Sequence, residues 1–233
     1  MRLYIIRHAD PDYSIDSITE AGRLEAKALA RRMKKQGLDR IYCSPLGRAK
    51  ATMQYTADLL GMDYEIEDWT RELELRVEKQ GFETSMAWDV NGEIIRGDGE
   101  FPDYDDWYTR EPYTEAKYRE RFEQVKKNSD AFLARHGYVC EGGRYRIERG
   151  NREQIAVFCH GGFGVTWLAH LLEIPLTMMW AGFTLLPTSV TTVLFDERSK
   201  QWAVPRCVGV GDVSHLYAEG LAVSTRGIKA NCD

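Results

Sequence analysis

The fold of this chain is constrained most by three short runs rich in apolar residues. Each run is followed by a polar loop and an amphipathic helix. The three runs cover residues 2–6, 38–43 and 155–159. Runs of this length are typical of strands buried on both faces, and strands alternating with helices favour a parallel sheet. Residues 190–195 and 202–204 indicate an antiparallel pair that closes the sheet. The sequence therefore predicts an α/β fold, a three-layer sandwich with a mostly parallel central sheet.

The helices that follow the first two strands have recognisable ends. Thr19 is a helix-capping residue, and Gly37 is the type of residue that ends a helix. Ser44 and Pro45 indicate the start of the next helix, with the serine as cap and the proline in the first turn. Gly61 is expected to end that second helix.

The segment 76–113 does not follow this pattern, because it mixes glycine, aspartate and aromatic residues with weak periodicity. A long irregular stretch of this kind is often a functional insertion. Acidic and aromatic residues alternate from Asp98 to Tyr108, which predicts either a lid, with Trp107 or Tyr108 over a leaving group, or a surface loop anchored by its aromatics. We expect one domain over 1–233, with the insertion near the active site and acting as a possible lid.

Composition narrows the classes of function. The 233 residues contain no apolar run near the roughly 18 that a membrane span requires, so no membrane partner is expected. A net charge of −5 without a basic tract makes nucleic acid an unexpected partner. The five cysteines form no Cys-x-x-Cys pair, which favours a reduced, cytoplasmic protein without a zinc site or disulfides. No cofactor is expected.

Reactive and cationic side chains follow the three predicted strands. Arg7 and His8 follow the first, Arg48 lies one helical turn after the second, and His160 with Gly161 follows the third. Open α/β sheets bind ligands beyond the carboxyl ends of their strands. Guanidinium groups match phosphate oxygens, and a glycine at a helix start leaves backbone N–H groups free. One such histidine alone is usually structural, but the combination predicts a site for a phosphoryl group.

Four motifs occur in a characteristic order: Arg-His-Ala at 7–9, Ile-Thr-Glu-Ala-Gly-Arg-Leu-Glu-Ala at 18–26, Ser-Pro-Leu-Gly-Arg-Ala at 44–49, and Cys-His-Gly-Gly at 159–162. Together they resemble the histidine phosphatase superfamily, which contains metal-independent phosphatases and 2,3-bisphosphoglycerate-dependent phosphoglycerate mutases. The resemblance spans residues 2 to about 195. It implies a metal-independent phosphomonoesterase that acts on a small phosphorylated metabolite.

The resemblance also implies a role for each site residue. His8 would be the nucleophile that forms a phosphohistidine, while Arg7, Arg48, His160 and Gly161 bind the phosphoryl oxygens; His160 would also act in catalysis. The attacking nitrogen of His8 must be unprotonated, so we expect a backbone carbonyl to accept a hydrogen bond from the other ring nitrogen.

The leaving oxygen needs a proton, and the resemblance implies that a glutamate followed by an apolar residue donates it. Glu72, followed by Leu73, is the preferred candidate, and Glu74, followed by Leu75, is the alternative. In an extended segment both side chains would point the same way, so periodicity does not choose between them.

Two other functions remain open. One is a phosphoglycerate-type mutase, although residues 10–14 depart from the family's usual sequence after the first motif. The other is a non-catalytic module that binds a phosphorylated ligand. Besides the small phosphorylated substrate, a possible homodimer is the only partner expected.

Overall fold

An eight-stranded mixed sheet forms the centre of the protein in this computed structural model, which describes residues 1–78, 85–97 and 99–229. The strands in the described residues are β1 (Arg2–Arg7), β2 (Pro11–Asp12), β3 (Ser17–Ile18), β4 (Arg40–Cys43), β5 (Glu65–Ile66), β6 (Arg76–Val77), β7 (Ser85–Met86), β8 (Tyr138–Glu141), β9 (Arg144–Ile147), β10 (Gln154–Cys159), β11 (Val190–Asp196) and β12 (Trp202–Asp212). The α-helices of the same residues are α1 (Glu20–Gln36), α2 (Gly47–Leu60), α3 (Gly92–Arg96), α4 (Ala116–Arg135), α5 (Gly161–Leu172), α6 (Leu176–Gly182) and α7 (Ser214–Ala218).

The strand order across the sheet is β5-β4-β10-β1-β11-β12-β9-β8. The three pairings from β5 to β1 are parallel, and the four from β1 to β8 are antiparallel. The α/β class is therefore confirmed, but the prediction of a mostly parallel sheet is wrong. Apolar runs indicate burial and not strand direction. The pairs β8–β9 and β11–β12 are joined by short loops, which antiparallel strands allow and parallel strands do not.

Helices cover both faces of the sheet. Alternate residues of β1 point to opposite faces and join two separate buried clusters. Tyr4 and Ile6 pack with α1 and α2, while Leu3 and Ile5 pack with α4 and α5. The core thus lies on both sides of β1 and holds the carboxyl end of this strand rigidly at one edge of the sheet.

The predicted ends of α1 agree with the structure, but the predicted start of α2 does not. The Thr19 hydroxyl accepts a hydrogen bond from the backbone N–H of Gly22, and Gly37 follows the last residue of α1. Helix α2 begins at Gly47 and has no side-chain cap. The Ser44 hydroxyl, which was expected to cap this helix, accepts a hydrogen bond from the backbone N–H of Leu46 at 3.3 Å, just before the helix begins. The same hydroxyl lies 2.7 Å from Nε2 of His160.

The described part of the acidic, aromatic stretch does not confirm a lid. Trp107 is only 1% exposed and packs edge-on against Tyr113, Phe122 and Trp180 in the core. Trp107 therefore anchors this stretch to the body of the protein, whereas Phe101 is 58% exposed. Residues 79–84 and Asp98 of the predicted insertion lie outside the described residues.

Over the described ranges, no helix has the length and apolar character needed to cross a membrane. The thiols of Cys43, Cys140, Cys159 and Cys207 are free. Cys232 lies outside the described residues.

Candidate active site

Three neighbouring parallel strands deliver the predicted site residues to one edge of the sheet. His8, Ser44 and His160 directly follow β1, β4 and β10. The backbone N–H of His8 donates to the carbonyl of Cys159 at 3.0 Å, and that of Ser44 donates to the carbonyl of Phe158 at 2.9 Å. The parallel hydrogen bonding thus continues one residue beyond the strands and fixes the backbone from which these side chains project.

The His8 imidazole is held in one tautomer. Its Nδ1 lies 2.8 Å from the carbonyl oxygen of Ala9, which can only accept, so Nδ1 carries the hydrogen and Nε2 carries a lone pair. This is the backbone carbonyl expected from the sequence. Nε of Arg48 donates to Nε2 at 3.3 Å. Burial, Arg7 and Arg48 hold the pKa of His8 well below its usual value of 6.5, so the ring is neutral at neutral pH.

The Arg7 side chain is buried next to His8 and is oriented by two backbone carbonyls. Its guanidinium donates to the carbonyls of Leu185 and Arg226. Its Nε–H is buried and has no hydrogen-bond partner among the described residues. A Cβ atom on Gly161 would lie 3.4–3.6 Å from this guanidinium, so the glycine keeps the space beside Arg7 open. A buried donor of this kind is suited to an anion.

Asp16 orients Arg48 on the other side of His8. Oδ1 of Asp16 accepts a hydrogen bond from Nη1 of Arg48 at 2.7 Å, and Oδ2 accepts one from the backbone N–H of Gly47 at 2.6 Å. Asp16 has a φ of 46°, in the left-handed region that aspartate tolerates better than most residues. Asp16 was not predicted as a site residue, because a loop residue without a regular spacing gives no signal of what it contacts.

His160 lies behind His8, with 5.2 Å between the two ring centroids. Its side chain is fully buried; Nε2 is hydrogen-bonded to Ser44, and Nδ1 has no partner in the described part of the chain. Burial, His8 and Arg48 hold the pKa of His160 well below its usual value. Both imidazoles are therefore neutral, and Arg7 and Arg48 are the cations that lie beside them.

The Glu72 carboxyl binds the first turn of α5. Oε1 accepts from the backbone N–H groups of Leu73 and Phe163, at 3.0 and 2.7 Å, and Oε2 accepts from that of Gly162 at 3.1 Å. Burial raises the pKa of Glu72 despite these hydrogen bonds. The N–H groups of Gly162 and Phe163, expected to be free at the helix start, are therefore used by Glu72.

Glu74 differs from Glu72 in backbone and contacts. It has a φ of 55°, so the segment is not extended at this residue, although both side chains line the same cavity. Its side chain is exposed, whereas the Glu72 carboxyl is hydrogen-bonded to α5. The structure thus separates two candidates that sequence periodicity could not.

A cavity of about 570 Å³ lies at this edge of the sheet. The fully buried His160 and Ser44 are not among the described residues that line it. It is lined by the predicted residues Arg7, His8, Arg48, Glu72, Glu74 and Gly161, and also by Tyr13, Asp16, Leu46, Arg76, Met86, Trp88, Asp89, Val165, Phe183, Thr184, Leu185 and Gly227. The described part of segment 76–113 thus contributes four wall residues, which its weak periodicity did not reveal. Within the described residues, no group of three or more His, Cys, Asp or Glu side chains could hold a metal ion.

The chain was compared with known protein families, and one family model matches it. Residues 3–207 match the model of the histidine phosphatase superfamily, branch 1. A relative from Salmonella arizonae, named "Probable phosphoglycerate mutase GpmB", is 24% identical over 95% of this chain and 97% of its own length.

Two solved structures share the fold. One is the phosphoserine phosphatase of Entamoeba histolytica in complex with 3-phosphoglyceric acid, with a TM-score of 0.60, 20% identity, and coverage of 92% of this chain and 98% of that one. The other is a mycobacterial glucosyl-3-phosphoglycerate phosphatase, with a TM-score of 0.58, 20% identity, and coverage of 90% and 97%. The predicted enzyme class, a phosphoric monoester hydrolase of the histidine phosphatase type, is confirmed by the family match. The chain belongs to the histidine phosphatase superfamily.

Proposed function

We propose that the protein is a metal-independent phosphomonoesterase that acts on a small phosphorylated metabolite through a phosphohistidine on His8. The observation that carries this proposal is the state of the His8 ring. Its Nδ1–H is held by the Ala9 carbonyl, and its Nε2 lone pair lies beside Arg48, in the wall of the cavity that Arg7 also lines. A neutral imidazole oriented in this way can attack phosphorus without first losing a proton.

In the first step, Nε2 of His8 forms a bond to phosphorus while the bond from phosphorus to the ester oxygen breaks. Arg7 and Arg48 stabilise the negative charge of the transferring group, and Arg48 exchanges its hydrogen bond to His8 for one to a phosphoryl oxygen. The Ser44 hydroxyl donates a hydrogen bond to Nε2 of His160, so Nδ1 carries the hydrogen of that neutral ring. Gly161 allows the phosphoryl group to approach Arg7 closely.

Glu72 supplies the proton that the leaving oxygen requires. Its raised pKa favours the protonated form that a general acid needs. After the alcohol leaves, the Glu72 carboxylate accepts a proton from water, and the oxygen of that water attacks phosphorus and breaks the bond to Nε2. Inorganic phosphate is released, and both His8 and Glu72 return to their initial states.

The proposal is tested by hydrolysis of p-nitrophenyl phosphate in EDTA, with the wild type and His8→Ala. We expect metal-free turnover by the wild type and loss of that turnover in His8→Ala, because no other described residue in the cavity offers an oriented imidazole. Unchanged activity of His8→Ala, or a requirement for added metal, would contradict the proposal.

A mutase is the second candidate, favoured by the similarity to the Salmonella arizonae relative over nearly its whole length. The charge of the cavity wall does not separate the two functions, because Asp16 is paired with Arg48 and Asp89 with Lys229. Interconversion of 2- and 3-phosphoglycerate with 2,3-bisphosphoglycerate present, faster than hydrolysis of either, would favour the mutase.

A further inference from the structure

The indole of Trp88 packs directly on Gly162 in the first turn of α5. A Cβ atom on Gly162 would lie 2.4–2.6 Å from three ring atoms of Trp88, which is closer than real Cβ contacts. Gly162 is itself buried, and Trp88 is half-buried in the wall of the cavity. Only a glycine at position 162 lets the indole lie in this place.

Gly162, the residue on which Trp88 packs, also binds the Glu72 carboxyl. The backbone N–H of Gly162 donates to Oε2 of Glu72 at 3.1 Å, and the next N–H, of Phe163, donates to Oε1 at 2.7 Å. Trp88 and Glu72 both line the same cavity. The indole therefore restrains the backbone turn to which the carboxyl is bound and reduces the space for water beside it.

We propose that Trp88 is a positioning residue for the proton donor, acting on Glu72 through the first turn of α5. This inference rests on the proposed function, because it assumes that Glu72 protonates the leaving oxygen. Trp88 belongs to the segment 76–113, so this segment would contribute to proton transfer as well as to the cavity wall.

Other groups that act on Glu72 lie on different elements. The guanidinium of Arg7 on β1 lowers the pKa of Glu72, and Arg121 on α4 interacts with the Glu72 charge. The thiol of Cys159 on β10 is also close enough to interact electrostatically with Glu72. Substitution of Trp88 leaves Arg7, Arg121 and Cys159 in place. A change in the pKa of Glu72 would therefore reflect the position of the α5 turn and the exposure of the carboxyl to water.

The test compares a poor leaving group, β-glycerophosphate, with a good one, p-nitrophenyl phosphate, over a range of pH. In Trp88→Ala we expect kcat/KM for β-glycerophosphate to fall about 10-fold or more, and that for p-nitrophenyl phosphate to change much less, because only the first needs a proton from Glu72. The high-pH decline of the β-glycerophosphate profile should move down by about one pH unit, since a better-hydrated carboxyl ionises more easily.

Two further variants separate positioning from simple packing. Gly162→Ala keeps both Trp88 and Glu72 but forces the indole off the turn, so it should reproduce the change in leaving-group selectivity. Trp88→Phe keeps an aromatic ring and should restore most of the wild-type selectivity. Trp202→Ala, another half-buried tryptophan, lies on β12 outside the cavity and serves as the control.

The decisive comparison is Trp88→Ala in a Glu72→Gln background. If Trp88 acts through Glu72, its substitution should no longer change the ratio of kcat/KM for the two substrates. Equal losses for both substrates in Trp88→Ala, or a changed ratio that persists without the Glu72 carboxyl, would overturn the proposal. If Glu72→Gln alone leaves the ratio unchanged, Glu72 is not the donor and the proposed function fails at that step instead.

Discussion

At the level of single residues, the proposed chemistry depends on the neutral imidazoles of His8 and His160. His8 and His160 are buried beside two guanidinium groups, and both effects disfavour a further positive charge. A protonated His8 could not attack phosphorus, so the arginines bind the phosphoryl group and also keep the nucleophile in its reactive form. The hydrogen bond from Nδ1 to the Ala9 carbonyl selects which nitrogen reacts.

The low pKa of His8 predicts the acid side of the activity profile. A group with a lowered pKa stays neutral until the pH falls below that value, so kcat/KM for p-nitrophenyl phosphate should not decline as pH passes through 6.5. The decline should begin only at more acidic pH. A half-maximal point at or above pH 6.5 in a pH–rate profile would show that His8 is not shielded in this way.

The contacts of the two glutamates predict which one donates the proton. Glu72→Gln should lower kcat/KM for β-glycerophosphate by about 10²–10⁴, with a much smaller effect on p-nitrophenyl phosphate, because nitrophenolate leaves without protonation. Glu74→Gln is the matched control, with the same chemical change two residues along the chain, and it should retain most of the activity towards both substrates. The opposite result would assign the donor role to Glu74.

At the scale of elements, the start of α2 and the loop of Asp16 depend on each other. A Cβ atom on Gly47 would lie 2.1 Å from the backbone oxygen of Asp16. Gly47→Ala should therefore displace the loop, release Arg48, and lower the free energy of unfolding by about 1–3 kcal/mol.

Gly209→Ala on β12 is the control for this substitution, since a Cβ atom placed there has no described residue within 4 Å apart from its chain neighbours. Chemical denaturation should show a clear loss of stability for Gly47→Ala and a small change for Gly209→Ala, and inhibition by inorganic phosphate should weaken only in Gly47→Ala. Equal stability of the two variants would contradict the close contact between α2 and the Asp16 loop.

The sequence predicts those elements whose signals are local. The apolar strands before His8 and His160 and the Thr19 cap of α1 can be predicted because burial, spacing and capping act over a few residues. The antiparallel pair β11–β12 agrees with the pair predicted from residues 190–195 and 202–204. The antiparallel pairings of β11 with β1 and of β12 with β9 could not be predicted, since these partners are set by long-range packing. The hydrogen bond between Ser44 and His160 was not predicted, because His160 is distant in sequence.

The residues of the site likewise divide into those with a local sequence signal and those without one. The residue types at the strand ends predicted that Arg7, His8 and His160 come together, because parallel strands end at one edge of the sheet. Asp16 and Trp88 could not be found in this way, since each acts through a contact between loops or helix starts that are remote in the chain.

At the scale of the whole molecule, buried histidines link stability to pH. The pKa values of four are lowered, mainly by burial: His8, His136, His160 and His215, the last to about 4. Below about pH 6.5 the unfolded chain binds protons that the folded chain does not bind, so the free energy of unfolding should fall as pH is lowered from 6.5 to 5.

Urea denaturation at several pH values measures the slope of the free energy of unfolding against pH. His215→Gln, outside the active-site cavity, should reduce it by about 1.4 kcal/mol per pH unit at most, which is the effect of one proton. A free energy of unfolding that stays constant from pH 7 to 5 would contradict the burial of these rings as neutral groups.

Every step of the proposed reaction depends on a phosphohistidine at His8, and the ring nitrogen that carries the phosphate can be identified experimentally. Rapid mixing with substrate, quenching in alkali and analysis of the phosphorylated histidine distinguish the two ring isomers. Because Nδ1 is bound to the Ala9 carbonyl, we predict phosphate on Nε2 of His8, formed within one turnover and absent from His8→Ala. Phosphate on Nδ1 or on another residue, or turnover by hydrolysis without any phosphoenzyme, would contradict the account.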